Sequence, residues 1–185
     1  MQYGGACGEK QRIRAEIRRI AQSLDRDYYA GASRRIAAQV RALPSWRRAK
    51  TVMAYVSMPE EPDTRELLEA VLREGRTLLL PRCVDNARME ALPVEDLSAL
   101  VPGLFGIPEP APAEGAERVP EPDLILVPCV AASPGGARLG HGAAYYDRFL
   151  AGHPGERVCL CFRPFLRSDL PTEATDIPMD RVITD

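Results

Sequence analysis

The stretch of the chain richest in chemistry is Gly135-Gly136-Ala137-Arg138-Leu139-Gly140-His141-Gly142-Ala143-Ala144-Tyr145-Tyr146-Asp147-Arg148. Glycines let a backbone approach an anion closely, and a helix that follows aims free N–H groups at it. Arg138 adds a fork of charged donors. Asp147, one turn into that helix, could hold a magnesium ion carried by phosphates. The run is not a Walker A loop, which needs GK[ST], nor a dinucleotide GxGxxG, because position 145 is tyrosine. A structural reading stands beside the phosphate-binding one: a glycine-rich turn before an amphipathic helix, with Tyr146 and Phe149 packing inward. The residues alone leave both open.

Other candidates are weaker singly. Lys10, Arg14 and Arg18 recur every four residues and form a cationic ridge on one helix face. The first two could reach a phosphate, or the ridge is simply solvated. Glu61 follows an apparent strand, where a ligand-contacting carboxylate would sit; otherwise it is an exposed loop acid beside Pro62. His141 and His153 lack metal-ligand spacing. Cys159 and Cys161 alternate on a strand and are most simply core residues. Trp46 is expected to anchor packing. No Ser–His–Asp order or catalytic-cysteine context is present.

The elements that must position these residues alternate in type. Ile13, Ile17, Ile20 and Leu24, at spacings of 4, 3 and 4, predict a helix over 9–24. A second helix is expected over 27–41, stopped by Pro44. Thr51 to Ser57 predicts a buried strand. Asp63 and Glu66 resemble a capping box for a helix through Leu72 that Gly75 closes. Thr77 to Leu80 is a second strand ended by Pro81, so strand–helix–strand predicts parallel pairing. Met89 to Leu92 is a further short strand. The Pro- and Gly-rich segment 102–122 is a surface loop or flap. Asp123 to Pro128 is a buried strand feeding the loop 131–140 and a helix over 142–150. Val158 to Phe162 and a piece near Val182 complete the set. The expected architecture is α/β: a single-domain, Rossmann-like three-layer fold over 1–185, its mostly parallel or mixed sheet flanked by helices. In such sheets ligands bind beyond the carboxyl ends of the strands, which directs attention to the residues after Ser57, Leu80 and Pro128.

Composition narrows the class. At 185 residues with 45% apolar and 27% charged side chains, the chain can bury a core without staples. No apolar run approaches the roughly 20 residues of a spanning helix, and the first residues lack the apolar core of a signal peptide. A net charge of −2 disfavours nucleic-acid binding by bulk electrostatics. Five scattered cysteines without a C-x-x-C pair indicate neither zinc nor a disulfide framework. The expectation is a soluble, cytoplasmic protein acting on small molecules, with nothing demanding more than a monomer and no membrane partner.

The run RLGHGAAYYDRFL at 138–150 resembles the signature R-L-G-x-G-x-G-Y-Y-D-x-x-L of 5-formyltetrahydrofolate cyclo-ligases, also called methenyltetrahydrofolate synthetases. Further matches occur in order: the basic pair Lys10 and Arg14, YVSMPEEPDT with Glu61 and Thr64, LLLPRC, GIPEP at 106–110, DLILVP, and the ending TDIPMDRVITD. The resemblance implies an ATP- and Mg2+-dependent ring closure of 5-formyltetrahydrofolate to 5,10-methenyltetrahydrofolate, with ADP and phosphate released. It implies ATP binding by Lys10, Arg14, Arg138, Leu139, Gly140, His141, Gly142, Ala143, Ala144, Tyr145 and Tyr146. Folate would contact Val56, Glu61, His141, Gly142, Ala143, Ala144 and Tyr145. Arg138, Tyr146 and Asp147 would be catalytic, and Asp147 and Asp176 would hold magnesium.

Departures from the pattern accompany the match. The signature's third glycine is Ala144, a residue of less backbone freedom if the position needs φ > 0. The residue before it is Ala143, and Ala132 and Ser133 stand where an Asp is common. Phe165 replaces a usual Gln and Thr175 a usual His. A non-catalytic folate- or nucleotide-binding protein on the same scaffold, or an ATP-dependent relative with another substrate, are the competing readings. A purely structural role has neither repeat nor heptad behind it.

Overall fold

A computed structural model describes residues 5–112 and 119–185. The amphipathic start becomes α1 (Gly5–Ser23), whose Ile13, Ile17 and Ala21 are buried while Ile20 and Leu24 cover the core edge. Asp25 then caps α2 (Arg26–Ala42), its carboxylate accepting from Tyr28 N at 2.7 Å. Pro44 ends that helix as expected. It also starts a short one, α3 (Pro44–Arg48), because the missing N–H is harmless in a first turn. Trp46 is buried, with the Arg76 guanidinium 4.4 Å above its ring.

The first strand, β1, is only Thr51–Met53; residues 54–57 are buried or half-buried but lie past the ladder. The expected capping box before α4 (Arg65–Arg73) does not form. Asp63 accepts from Arg65 N at 2.9 Å, Glu66 pairs with Arg41 at 3.2 Å, and the buried Thr64 hydroxyl donates to Tyr55 O at 2.5 Å. That last bond ties the loop carrying Glu61 to the end of β1. At its other end α4 closes as expected, with Gly75 N on Leu72 O and Arg76 N on Val71 O.

Strand β2 (Thr77–Cys83) runs through Pro81 rather than ending there. Residues of its parity face β1, whose pairing stops at Met53 with Leu79. The absent N–H therefore points where no ladder remains. β3 (Met89–Val94) pairs antiparallel with β2. The Pro-rich segment is not all loop: β4 (Val101–Pro102) and β5 (Pro108–Glu109) make a small ribbon. β6 (Leu124–Val127) is wholly buried. Next, the expected loop contains a hairpin of β7 (Ala131–Ala132) and β8 (Arg138–Leu139), and α5 (Tyr145–Leu150) starts three residues later than expected. β9 (Glu156–Leu160) and β10 (Arg181–Ile183) complete the main sheet.

That sheet has the order β10-β9-β6-β1-β2-β3, all parallel except β3. Adjacent strand residues point to opposite faces, and Leu124, Ile125, Leu126 and Val127 are each 0% exposed, so both faces of the sheet are covered. Helix–sheet–helix layering of an α/β fold follows, as expected.

Candidate active site

From β1 the chain moves to β2 on one side; β6, β9 and β10 build out on the other. The order therefore reverses between β1 and β6, and the crevice beyond their carboxyl ends is where such sheets bind ligands. Every candidate residue lies on segments that meet there. Val56 and Glu61 follow β1, Arg138 to Asp147 follow β6, and α1 brings Lys10 and Arg14 against them.

Three cations converge. Arg138, on β8, has a side chain only 4% exposed; its Nη2 donates to Asp147 Oδ2 at 2.9 Å, and its guanidinium lies 5.7 Å from the Tyr146 ring centre. Arg138 Nε is buried with no acceptor, an orphaned donor of a kind folded proteins rarely leave. Arg14 donates from Nε to Gly140 O at 2.8 Å. Lys10, with a side chain 10% exposed, bonds Glu173 and Asp176 at 2.7 Å each. Burial pushes its ammonium pKa down, and the two carboxylates more than reverse this, leaving it above the ordinary lysine value. The solvated-ridge reading thus fails for Lys10 and Arg14 and holds for Arg18, which is exposed.

The loop between them is shaped by close approach. A side chain at Gly140 would meet Arg138 Nη1 at 2.8 Å, and Gly142 has φ +113° with Arg14 3.6 Å from where a Cβ would stand. Ala144 has φ 54° and ψ 25°, the one described non-glycine residue with positive φ. The position that a glycine fills in the signature does require the left-handed conformation. His141, Gly142, Ala143 and Ala144 are exposed and open to a ligand, while Leu139 is buried beneath them. Helix α5 has six residues. Anion binding here would rest on the guanidinium groups and loop amides, not on the helix-terminus field expected from the sequence.

Glu61 is not an exposed loop acid: its side chain is 5% exposed, Oε2 accepts from Met58 N at 2.9 Å, and Oε1 lies 3.4 Å from His141 Nε2. Burial, with Glu61 second, raises the Tyr146 hydroxyl pKa far above the ordinary tyrosine value. Tyr146 is therefore a neutral, half-buried plate against the core. Tyr145 donates to Asp85 O at 2.7 Å and meets Phe105 edge-on with ring centres 6.0 Å apart.

The metal candidates meet through the backbone. Asp147 Oδ1 accepts from Ile177 N at 3.2 Å, beside Asp176, whose Oδ2 also accepts from Glu173 N at 2.8 Å. Among the described residues no group of three His, Cys, Asp or Glu side chains could hold a metal. Two carboxylates at a cationic loop fit Mg2+ arriving with phosphate oxygens, since that ion takes few protein ligands and keeps water; they do not fit a dedicated cage.

Sequence reasoning missed several participants. Glu173, the second partner of Lys10, sits 163 residues away in a tail without a periodic signal. Phe105 is 58% exposed and Leu104 54%; an aromatic in a Pro/Gly-rich flap was a usable signal. Glu109, buried, accepts from Cys83 N at 3.2 Å, and burial with this carboxylate pushes the Cys83 thiol up to about 11. A concavity of about 480 Å³ between Leu43, Pro44, Arg181 and Ile183 lies elsewhere; its one charged side chain, Arg181, is already paired with Glu156.

Fold and site together define an α/β protein with a cationic glycine loop at the switch point of its sheet. The 5-formyltetrahydrofolate cyclo-ligase family model matches residues 6–185, so the chain belongs to that family of ligase enzymes in folate one-carbon metabolism. It is 32% identical to the 5-formyltetrahydrofolate cyclo-ligase of Saccharomyces cerevisiae, with 94% of each chain covered, and 37% identical to that of Mycolicibacterium smegmatis, with 73% of each covered. The solution structure of Aquifex aeolicus 5,10-methenyltetrahydrofolate synthetase superposes with a TM-score of 0.82 at 32% identity, over 95% of this chain and 89% of that one. The synthetase of Mycoplasma pneumoniae shares the fold, with a TM-score of 0.72 at 17% identity over 94% and 97%. Among the described residues no helix is long and apolar enough to cross a membrane.

Proposed function

We propose that this chain, as a single domain over 1–185, closes 5-formyltetrahydrofolate to 5,10-methenyltetrahydrofolate at the expense of ATP. The observation that carries the reading is the buried Arg138 with an orphaned Nε, placed with Arg14 under the exposed loop 141–144 in a crevice between Glu61 and Lys10. A donor desolvated in advance gains most from a charged acceptor such as a phosphate oxygen.

A formamide oxygen is a poor leaving group. The γ-phosphoryl of ATP passes to that oxygen as the bond to ADP breaks. N10 then attacks the formyl carbon and loses its proton, and the carbon–oxygen bond breaks to release phosphate. These steps call for alignment and charge neutralisation rather than a protein nucleophile. Arg138, Arg14 and Lys10 neutralise the triphosphate, with Leu139 to Tyr146 shaping the loop around it. Val56, Glu61, His141 and Tyr145 hold the folate, and the plate of Tyr146 flanks the reacting groups. Asp147 and Asp176 would hold a magnesium ion, which supplies further charge neutralisation. Lys10 leaves its carboxylates, or shares them, as the nucleotide enters.

The reading has the protein acting alone on small molecules in the cytoplasm. In support, the exposed large apolar side chains among the described residues are Val101, Leu104 and Phe105, all on the ribbon beside Tyr145 rather than on a separate docking face. The test is optical. Protein, 5-formyltetrahydrofolate, Mg2+ and ATP should give the near-ultraviolet absorbance of the methenyl product, and omission of ATP should abolish it. Binding of both ligands by calorimetry without that chromophore would replace this reading with the non-catalytic one.

A further inference from the structure

The turn between β2 and β3 is held from outside by the first turns of α5. Asp85 folds the turn internally: its Oδ1 accepts from Ala87 N and Arg88 N, both at 2.8 Å, and Val84 N donates to Arg88 O at 2.9 Å. The two outward carbonyls of this turn are taken by residues of α5. Tyr145 hydroxyl donates to Asp85 O at 2.7 Å, and Arg148 Nε donates to Ala87 O at 2.6 Å. The same guanidinium reaches back with Nη2 to Ala143 O at 2.6 Å, and it lies 5.5 Å from the Tyr145 ring centre. One rigid fork thus spans two loops far apart in sequence, at Ala87 and at Ala143. Arg148 stands at a position that the family signature leaves open, and no step of the proposed chemistry uses it.

We propose that Arg148 is a positioning residue that straps the turn 84–88 to the loop 140–144, so that the nucleotide and folate subsites are set together. The proposal rests on the functional reading above. Loop 140–144 wraps the nucleotide and reaches the folate through His141; the strapped turn, with Tyr145 and the Phe105 ribbon, walls the folate side. A ligand that orders one loop lowers the cost of ordering the other, and such coupling is reciprocal by linkage. The fork geometry matters here. A lysine ammonium is a point donor and cannot satisfy two separated carbonyls with the same directionality.

Two measurements test this, one independent of the function. In the unliganded protein, hydrogen exchange of the amides of Ala87 and Arg88 should accelerate about tenfold or more in Arg148→Ala, with the amides of β6 and β9 unchanged as the fold control. Unchanged exchange at Ala87 and Arg88 would overturn the strap, whatever the protein does. In the second, calorimetry gives the affinity of a Mg2+-bound non-hydrolysable ATP analogue with and without saturating 5-formyltetrahydrofolate, and the converse. The wild type should show each ligand tightening the other by about fivefold or more. Arg148→Ala should bring that factor to within about twofold of unity, and Arg148→Lys should fall between. A coupling factor equal to the wild type's in Arg148→Ala, or none in the wild type, would overturn the proposal. A wild type that binds neither ligand would refute the functional reading instead, leaving the exchange result to judge the strap.

Discussion

Replacing Ala144 by glycine tests the backbone of the loop directly. Ala144 holds φ 54° and ψ 25°, is exposed, and makes no side-chain cap bond at the start of α5. An L-residue in this region carries a cost of about 1–2 kcal/mol from the Cβ–carbonyl approach. Glycine escapes that cost but adds about 0.4–1 kcal/mol of unfolded-state entropy to be lost. The exposed Cβ contributes little burial, so glycine should stabilise the protein by about 1 kcal/mol, or roughly 2–4 °C in Tm for a chain of this size. Ala143, next in the loop, has no positive φ, so Ala143→Gly should instead destabilise by about 0.5–1 kcal/mol. Urea unfolding of both variants gives the two values, and the absorbance assay should show turnover in Ala144→Gly at or above that of the parent. Destabilisation of Ala144→Gly equal to that of Ala143→Gly would mean that position 144 is not left-handed in solution and would sink the strain argument.

Further expectations concern the charges. Asp147→Ala removes both the partner of buried Arg138 and the acceptor of Ile177 N; it should abolish turnover and cost about 3–5 kcal/mol. Asp147→Asn keeps an acceptor and should recover part of that stability without the turnover; full activity in either variant would remove the carboxylate from the mechanism. Phe105→Ala, on the exposed ribbon against Tyr145, should raise KM for the folate about tenfold with little change for ATP, and the opposite split would place the ribbon on the nucleotide. Away from the site, side-chain donation from Arg157 holds the Asp180 carboxyl below its ordinary pKa, against a partial burial that pushes the other way. A folded pKa that is depressed means stability present above the ordinary aspartate range and lost as pH falls through the lowered value. Acid unfolding of Asp180→Asn should lack that component, its stability deficit at neutral pH vanishing at low pH; a deficit independent of pH would refute the ion-pair account.

The sheet was legible because its strands are buried on both faces: runs such as Leu124–Val127 are apolar without alternation and bounded by proline and aspartate. Elements shorter than a periodic window were not. β7, β8 and the β4–β5 ribbon have two residues per strand, too few to show alternation, and they form because neighbouring loops hold them. The capping box at Asp63 failed for a different reason. Asp63 turns its carboxylate to Arg65 N, two residues on, and Glu66 reaches across to Arg41 on α2, so neither side chain is left to close the box.

The candidate site divides along the same line. Residue types in the glycine loop announce themselves, because close backbone approach and forked donors need particular side chains at fixed spacing. Their partners do not: Lys10 meets Glu173 and Asp176, and Arg148 meets Ala87 O. These contacts are long-range and one of them is to a carbonyl, which every residue carries. Burial also inverted two readings that type alone left open, since Glu61 and Lys10 would be ordinary surface charges on any other segment. What changes them is the switch point itself. Where strand order reverses, neighbouring connections diverge to opposite faces and leave a crevice, and a charge at its mouth is desolvated without being filled over. Buried polar atoms without a partner also occur at Arg76, Arg167 and Thr184; what distinguishes the Nε of Arg138 is its place beside Arg14 and the glycine loop, where an anionic ligand can complete it.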